Sequence, residues 1–288
     1  MNKKLPEKNR EAFYYVKKLG KLYQFINVLS LDVVAGAIVS ALFFARIFAV
    51  QILSWGVWAL GLTVWIIYTT DHLADAKRVN IPASSRRHRF HQKHFTVLAV
   101  VLLLAILIDG VIISFIRKPV LHSGLVLAGA VAIYILFQRN LKYVKEFCAA
   151  LLYSIGVLLP AWSLSPTAMN LSQGLFVAEF CITVLCNLLL FSLFDHQRDL
   201  RDHHHSFATA MGNKRTRFLL STLFILNGVL MLLQLFWLMN ARDSVLAILF
   251  MNLMLLIIFI FHERFEADDR YRLVGDAVFL VPLFFFFL

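Results

Sequence analysis

Nine apolar segments dominate the sequence, and each is close to the roughly 20 residues that a helix needs to cross the hydrocarbon core of a bilayer. The chain is 60% hydrophobic and only 16% charged, and it contains 27 Phe, which is more apolar material than one water-soluble core can bury. We therefore expect an all-α, polytopic membrane protein with nine transmembrane helices in a single bundle. The nine predicted spans are at about 25–46, 53–73, 95–116, 120–138, 147–164, 175–195, 217–239, 244–262 and 272–288.

The loops between these segments predict the orientation of the chain. If the basic N-terminal segment, residues 1–22, is cytoplasmic, then 24 of the 28 Lys and Arg residues fall on the cytoplasmic side. Such an asymmetry is what the positive-inside rule requires. We expect a single transmembrane domain, residues 23–288, whose site-bearing loops also lie in the cytoplasm. The net charge of +11 then suits anionic membrane lipid and requires no nucleic acid as a partner.

Two of the predicted helices end on aspartates. Span two closes with TTDHLADAKR, which contains Asp71 and Asp75, and span six closes with FDHQRDLRD, which contains Asp195, Asp199 and Asp202. Residues four apart lie on one side of a helix, and both ends are predicted at the cytoplasmic face. Carboxylates gathered there would repel one another unless cations lay between them, and Mg²⁺ is typically held by a few carboxylates plus substrate phosphates. The alternative is a set of solvated charges at the membrane edge.

Basic residues lie in the loops beside these acids. Arg86, Arg87 and Arg89 follow span two, and Lys142 follows span four. Arginine next to a metal–carboxylate cluster suits a ligand with several negative charges, such as a diphosphate. Cytoplasmic loops are also basic for orientation alone, so the sequence leaves both interpretations open.

Three consecutive histidines, His203, His204 and His205, follow the second acidic helix end. Consecutive side chains point in different directions, and no Cys lies nearby. A closed zinc site built from these three residues is therefore not expected.

Together these features resemble the UbiA superfamily of intramembrane prenyltransferases, whose members have nine transmembrane helices and Asp-rich motifs after helices two and six. The second motif is the closer match. Asp195 and Asp199 are followed by Ser206 and Gly212 at the family's offsets, whereas His203 replaces a Gly. The resemblance covers nearly the whole chain in architecture, but its specific residues are confined mostly to the loops.

The first motif departs from the family pattern, which is Asn-Asp-x-x-Asp-x-x-x-Asp. Only Asp71 and Asp75 match it, so at least one metal ligand is altered or missing in either possible alignment. The family's basic residue after helix four, and its Gly and Pro within helix five, are matched more loosely by Lys142, Gly156 and Pro160. The chain is therefore expected to be a divergent member.

The resemblance implies Mg²⁺-dependent transfer of a prenyl group from an isoprenoid diphosphate to an aromatic or lipid acceptor within the membrane. The implied partners are thus a prenyl diphosphate, a hydrophobic acceptor and membrane lipid. The implied catalytic and metal-binding residues are Asp71, Asp75, Asp195 and Asp199, with Asp202 as a further metal ligand. The implied diphosphate-binding residues are Arg86, Arg87, Arg89 and Lys142.

Three other functions remain open at this point. A membrane terpene cyclase would use the same acids without an external acceptor. A non-catalytic relative would bind lipid diphosphates without turning them over, as the altered first motif allows. A metal-ion transporter would need its acidic ligands near the bilayer midplane, whereas these acids are predicted at helix ends.

Overall fold

The structure is a computed structural model that describes residues 7–78, 82–138, 140–237 and 242–286, and within these ranges it contains helices and no strand. The all-α class is therefore confirmed for the described part of the chain. The α-helices are α1 (Glu7–Val28), α2 (Leu31–Ile47), α3 (Ser54–Arg78), α4 (Arg86–Lys93), α5 (Phe95–Ile113), α6 (Lys118–Phe137), α7 (Lys145–Leu164), α8 (Leu171–Arg201), α9 (Phe207–Met211), α10 (Asn213–Trp237), α11 (Arg242–Ile260), α12 (His262–Glu266) and α13 (Arg270–Ala277). Two 3₁₀ segments are Ala267–Asp269 and Val278–Phe286.

Six helices among the described residues are long and apolar enough to cross a membrane, namely α5, α6, α7, α8, α10 and α11. Residues 18–28 of α1 and the whole of α2 meet the same criteria together, although they are bent by 74° relative to each other, and counting this pair as one span gives seven. Ser30 lies in this bend with a φ of 56°, a left-handed conformation that ends α1. By length and composition, the described helices thus suit a multi-pass membrane protein, while the predicted count of nine spans is not confirmed.

The bent pair α1 and α2 takes the place of the first predicted span, and two further predicted spans account for the rest of the difference. The segment predicted at 53–73 lies within α3, a helix in which several Trp, Tyr, Thr and Gly residues lower the mean hydropathy. The segment predicted at 272–288 is not one α-helix in its described part. There α13 ends at Ala277 and the chain continues as the 3₁₀ helix Val278–Phe286, which contains Pro282.

The predicted boundary between an N-terminal segment and the membrane domain, at residues 22 and 23, lies inside α1. Parts of three predicted segments fall outside the described residues: 1–6 of the N-terminal segment, 238–239 of the seventh span and 287–288 of the ninth.

Helix α8 organises the packing around the site. A capping box formed by Asn170 and Gln173 starts this helix, and its buried side chains, among them Phe180 and Leu189, belong to the main apolar core. Helix α8 packs against α7, α10, α11 and α13, while α3 packs against α2, α4 and α5. Helix α7 contacts both α2 and α8 and so connects these two groups of helices.

Candidate active site

A cavity of about 480 Å³ lies between α3, α6, α7, α8 and α13. Both acidic helix ends contribute to it. Its lining includes Asp71, Asp75, Asp195 and Asp199. Much of the remaining wall is apolar, with side chains such as Leu60, Leu127 and Val157 supplied by α3, α6 and α7. The two aspartate pairs, which are far apart in the sequence, thus line the same cavity, and much of the rest of its lining is apolar.

The first acidic helix end is held by few contacts. The side-chain amide of Gln138 donates to Asp71 Oδ1 at 2.7 Å. Asp75 accepts from Arg78, three residues further along α3, at 3.3 Å. Since Arg78 is 35% exposed, solvent screens this ion pair in part, and Arg78 neutralises Asp75 only weakly.

The second acidic helix end is held much more tightly. Asp195 is buried, and its Oδ1 accepts from the Tyr271 hydroxyl at 2.5 Å and from Arg198 at 3.4 Å. Its Oδ2 accepts from the guanidinium of Arg272. Asp199, one turn further along, is half-buried and also lines the cavity. Both oxygens of Asp195 are therefore already bound to cations or donors of the chain itself.

Helix α13 can reach Asp195 because of a glycine. A Cβ at Gly275 would lie 2.6 Å from Asn187 Oδ1 and 2.7 Å from the ring of Phe191, both on α8. The absence of a side chain at Gly275 lets the two helices approach closely. The Tyr271 ring, one turn earlier, stacks on Phe194 at 4.4 Å, and this packing directs the Arg272 side chain to Asp195.

Of the four predicted diphosphate-binding residues, the structure brings one into the cavity lining. Arg87 is buried and lines the cavity, where it donates to Asn27 and to Asp276. Arg86 is exposed and donates to Gln24. The other two described side chains, Arg89 and Lys142, are exposed outside the lining, and Arg89 donates to the carbonyl oxygens of residues 83 and 84.

Two further cations line the cavity but are outside the set of predicted diphosphate-binding residues, namely Arg272 and Lys145. Lys145 interacts electrostatically with both Asp71 and Asp199, so it lies between the two acidic ends. Lys145 is three residues after Lys142, in the same basic loop. Arg272 is the first residue of the ninth predicted span, directly after the charged segment ERFEADDRY, and it lies in α13. The sequence shows that both cations lie next to charged segments, but it does not show which aspartate each cation is close to.

Asp202, the fifth predicted acid, is positioned differently from the other four. It follows the last residue of α8 and accepts from the backbone nitrogen of Ser84 at 2.9 Å and from the Ser84 hydroxyl at 2.7 Å. These bonds join the end of α8 to the segment that precedes α4. Asp202 is outside the described lining of the cavity.

Several residues that carried the family resemblance do lie on the cavity wall. Gly156 and Pro160 of α7 line it, as does Ser206 after α8. Asn187 lines it as well, with a buried Oδ1 that has no hydrogen-bond partner among the described residues. His203, which replaces a family Gly, has a φ of 55°. That left-handed conformation is one that Gly adopts without strain.

Comparison with protein-family models, with curated proteins and with solved structures finds no match to this chain. The resemblance to the UbiA superfamily therefore stays a prediction, and the geometry of the cavity is what bears on function.

Proposed function

We propose that this protein is a membrane enzyme that transfers a prenyl group from an isoprenoid diphosphate to a hydrophobic acceptor with the help of Mg²⁺. One observation carries the proposal: the acidic ends of α3 and α8 and three cations line the same cavity as the apolar side chains of the helices. A prenyl diphosphate is complementary to this cavity, because its diphosphate is strongly anionic and its prenyl chain is hydrocarbon.

The oxygen donors in the cavity fit Mg²⁺. Asp71, Asp75 and Asp199 line the cavity, and Mg²⁺ usually takes one or two carboxylates plus substrate phosphate oxygens. Asp195 fits less simply, since both of its oxygens already accept from Tyr271 and Arg272. When bound, Mg²⁺ would neutralise the departing diphosphate as a Lewis acid. The first three carboxylates are the proposed ligands, and Asp195 contributes by orienting Arg272.

The diphosphate would be bound by Arg87, Arg272 and Lys145. Arg272 is fixed by Asp195 and by the ring of Phe191, whose centroid lies 5.0 Å from the guanidinium carbon. Arg87 is fixed by Asn27, and its buried Nε has no partner among the described residues. Cations that are held in place before the substrate arrives stabilise the charge that develops on the leaving group without further reorganisation.

The apolar part of the cavity would hold the prenyl chain and exclude water from the reacting carbon. In the reaction, the bond between the allylic carbon and the diphosphate oxygen breaks, and the bonding electrons leave with the diphosphate. A new bond forms between that carbon and the acceptor, and the released diphosphate takes up the proton that the acceptor loses. The rings of Tyr68 and Tyr153, which line the cavity, can stabilise positive charge on the allylic carbon.

The test is turnover of labelled allylic diphosphates of several chain lengths by membranes that contain the protein, with lipid extract as the acceptor source. We expect diphosphate release and a lipid-soluble product with Mg²⁺ and neither with a chelator. Asp199→Ala should lower the rate by at least about 100-fold, because it removes a carboxylate where charge develops. The matched control is Asp268→Asn, since Asp268 is 74% exposed and pairs with Arg270 outside the cavity.

The products separate the proposed function from its alternatives. A product joined to an acceptor supports the transferase, whereas a product that contains only the isoprenoid identifies a cyclase. One observation favours a non-catalytic binder: Asp195 is neutralised by the chain's own Arg272. Mg²⁺-dependent binding of every diphosphate without turnover of any would establish that function and reject prenyl transfer.

A further inference from the structure

Three metal-ligating side chains meet beside the cavity. They are His88 of α4, Asp202 after α8 and His204 in the loop between α8 and α9, and their ligand atoms all lie within 4.8 Å of one another. Among the described residues, no other group of three or more His, Cys, Asp or Glu side chains has its ligand atoms this close together. The rings of His88 and His204 are 5.3 Å apart at an angle of 45°. The group joins two segments that are more than 100 residues apart in the sequence.

Each of the three residues is positioned by hydrogen bonds of the local chain. The backbone nitrogen of His88 donates to the Ser85 hydroxyl at 3.1 Å, which caps α4. Asp202 accepts from Ser84, the residue before that cap. The backbone nitrogen of His204 donates to the Asp199 carbonyl oxygen at 2.8 Å. The group is therefore assembled by the same contacts that fold the two loops together.

A second, independent observation concerns the histidine nitrogens. His88 Nδ1 and His204 Nε2 are buried and have no hydrogen-bond partner in the part of the chain that the structure describes. A buried polar atom without a partner is unfavourable, and in native proteins it usually has an explanation such as an ion. A neutral imidazole keeps the lone pair that a metal ion requires.

We propose that His88, Asp202 and His204 bind a divalent first-row transition-metal ion of the zinc or iron(II) type. Two imidazoles and one carboxylate form a mixed nitrogen and oxygen donor set, which suits such ions, whereas Mg²⁺ prefers oxygen ligands alone. The site is distinct from the proposed Mg²⁺ site and does not depend on prenyl transfer. His203 and His205 are exposed and are not part of it.

The count and position of the ligands indicate what the ion would do. Three protein ligands leave at least one coordination position for water or an anionic ligand. His88 and His204 also line the cavity, so the ion would add positive charge next to the acidic helix ends. It would also link α4 to the loop after α8, and ion binding should therefore raise the thermal stability of the protein.

The experiment uses the full chain, purified in detergent without a histidine tag, stripped with a chelator and titrated with Co²⁺. Bound Co²⁺ is followed by its visible absorption, which does not depend on enzyme activity. We expect one Co²⁺ per chain, displacement by Zn²⁺ and no displacement by a large excess of Mg²⁺. His88→Ala and His204→Ala should each weaken Co²⁺ binding by at least about 100-fold, because a direct ligand is worth at least as much as an outer-shell partner.

The control is His203→Asn, which removes the neighbouring exposed imidazole and places at φ 55° a residue type that tolerates a left-handed conformation. Its Co²⁺ affinity should equal that of the unmodified chain. Cooperative thermal unfolding in chelator identifies the variants that remain folded, and Asp202→Asn provides a third variant if His88→Ala does not fold. Absence of Co²⁺ binding to the unmodified chain, or binding that persists in folded His204→Ala, would overturn the proposal. Either result leaves the Mg²⁺-dependent reaction to its own test.

Discussion

The two acidic helix ends have the same spacing and contrasting surroundings. At the end of α3, Asp71 accepts one amide hydrogen bond from Gln138, and Asp75 pairs with a partly exposed Arg78. At the end of α8, buried Asp195 is bound by Tyr271 and by two arginines. Identical Asp-x-x-x-Asp patterns therefore produce one lightly held carboxylate pair and one in which the first carboxylate is part of the protein's internal structure.

The difference arises from what packs against each helix. Close approach of α13 at Gly275 covers the end of α8 and brings Arg272 to Asp195. Two cations of α4 are directed away from the end of α3, since Arg86 binds Gln24 and Arg89 binds backbone carbonyls. The third arginine of α4, Arg87, lines the cavity but binds Asn27 and Asp276 rather than Asp71 or Asp75. A spacing pattern thus predicts which carboxylates share a face, whereas tertiary packing decides which of them are free to bind a ligand.

The largest expected effect on stability is that of Arg272→Ala. The substitution removes the closer of the two arginines that bind the buried Asp195 carboxylate, and we expect a loss of about 3 kcal/mol in the free energy of unfolding. The measurement is reversible unfolding in detergent micelles titrated with SDS. Asp195→Asn in the same background should recover part of the loss, because the buried charge is then absent. A loss below about 0.5 kcal/mol, as for an exposed pair, would mean that the two helix ends are equivalent.

The acidic ends of α3 and α8 also show which parts of this arrangement can be predicted from the sequence. Apolar runs and loop charges identify the helices, and a four-residue spacing places Asp71 with Asp75 and Asp195 with Asp199. The partnership between Asp195 and Arg272 joins residues that are far apart in the chain, and no periodicity encodes it. The predicted span at 272–288 is divided, in its described part, into the end of α13 and a 3₁₀ helix, and Arg272 lies in α13.

A substitution of Gly275 should separate α13 from α8 with a somewhat smaller effect. The Cβ of Gly275→Ala would meet Asn187 and Phe191 at less than 3 Å, and such overpacking costs about 2 kcal/mol. The control is Gly228→Ala, since a Cβ there meets nothing within 4 Å and Ala has the higher helix propensity. We expect SDS unfolding to show destabilisation for the first variant and unchanged or higher stability for the second. Equal stability of the two variants would contradict the close approach of the helices.

At the first helix end, Gln138→Ala should have a smaller effect. It removes the 2.7 Å hydrogen bond to Asp71, which is worth about 1 kcal/mol for a single bond of this kind. Gln197→Ala, at an exposed position near the second end, is the matched control and should be neutral. If Gln138→Ala destabilised the protein as much as Arg272→Ala, then Asp71 would be as firmly held as Asp195, and the contrast would fail.

The smallest effect is expected for Arg78→Ala. The Arg78–Asp75 pair joins residues three apart at 3.3 Å, and Arg78 is 35% exposed, so its loss should cost no more than about 0.5 kcal/mol. The same substitution leaves Asp75 with one cation fewer, and a carboxylate without a competing cation is a better metal ligand. We therefore expect less Mg²⁺ to be needed for half of the thermal stabilisation that Mg²⁺ and a prenyl diphosphate produce together. An increased Mg²⁺ requirement would show that Arg78 assists the diphosphate, and that the first helix end, like the second, depends on a fixed arginine.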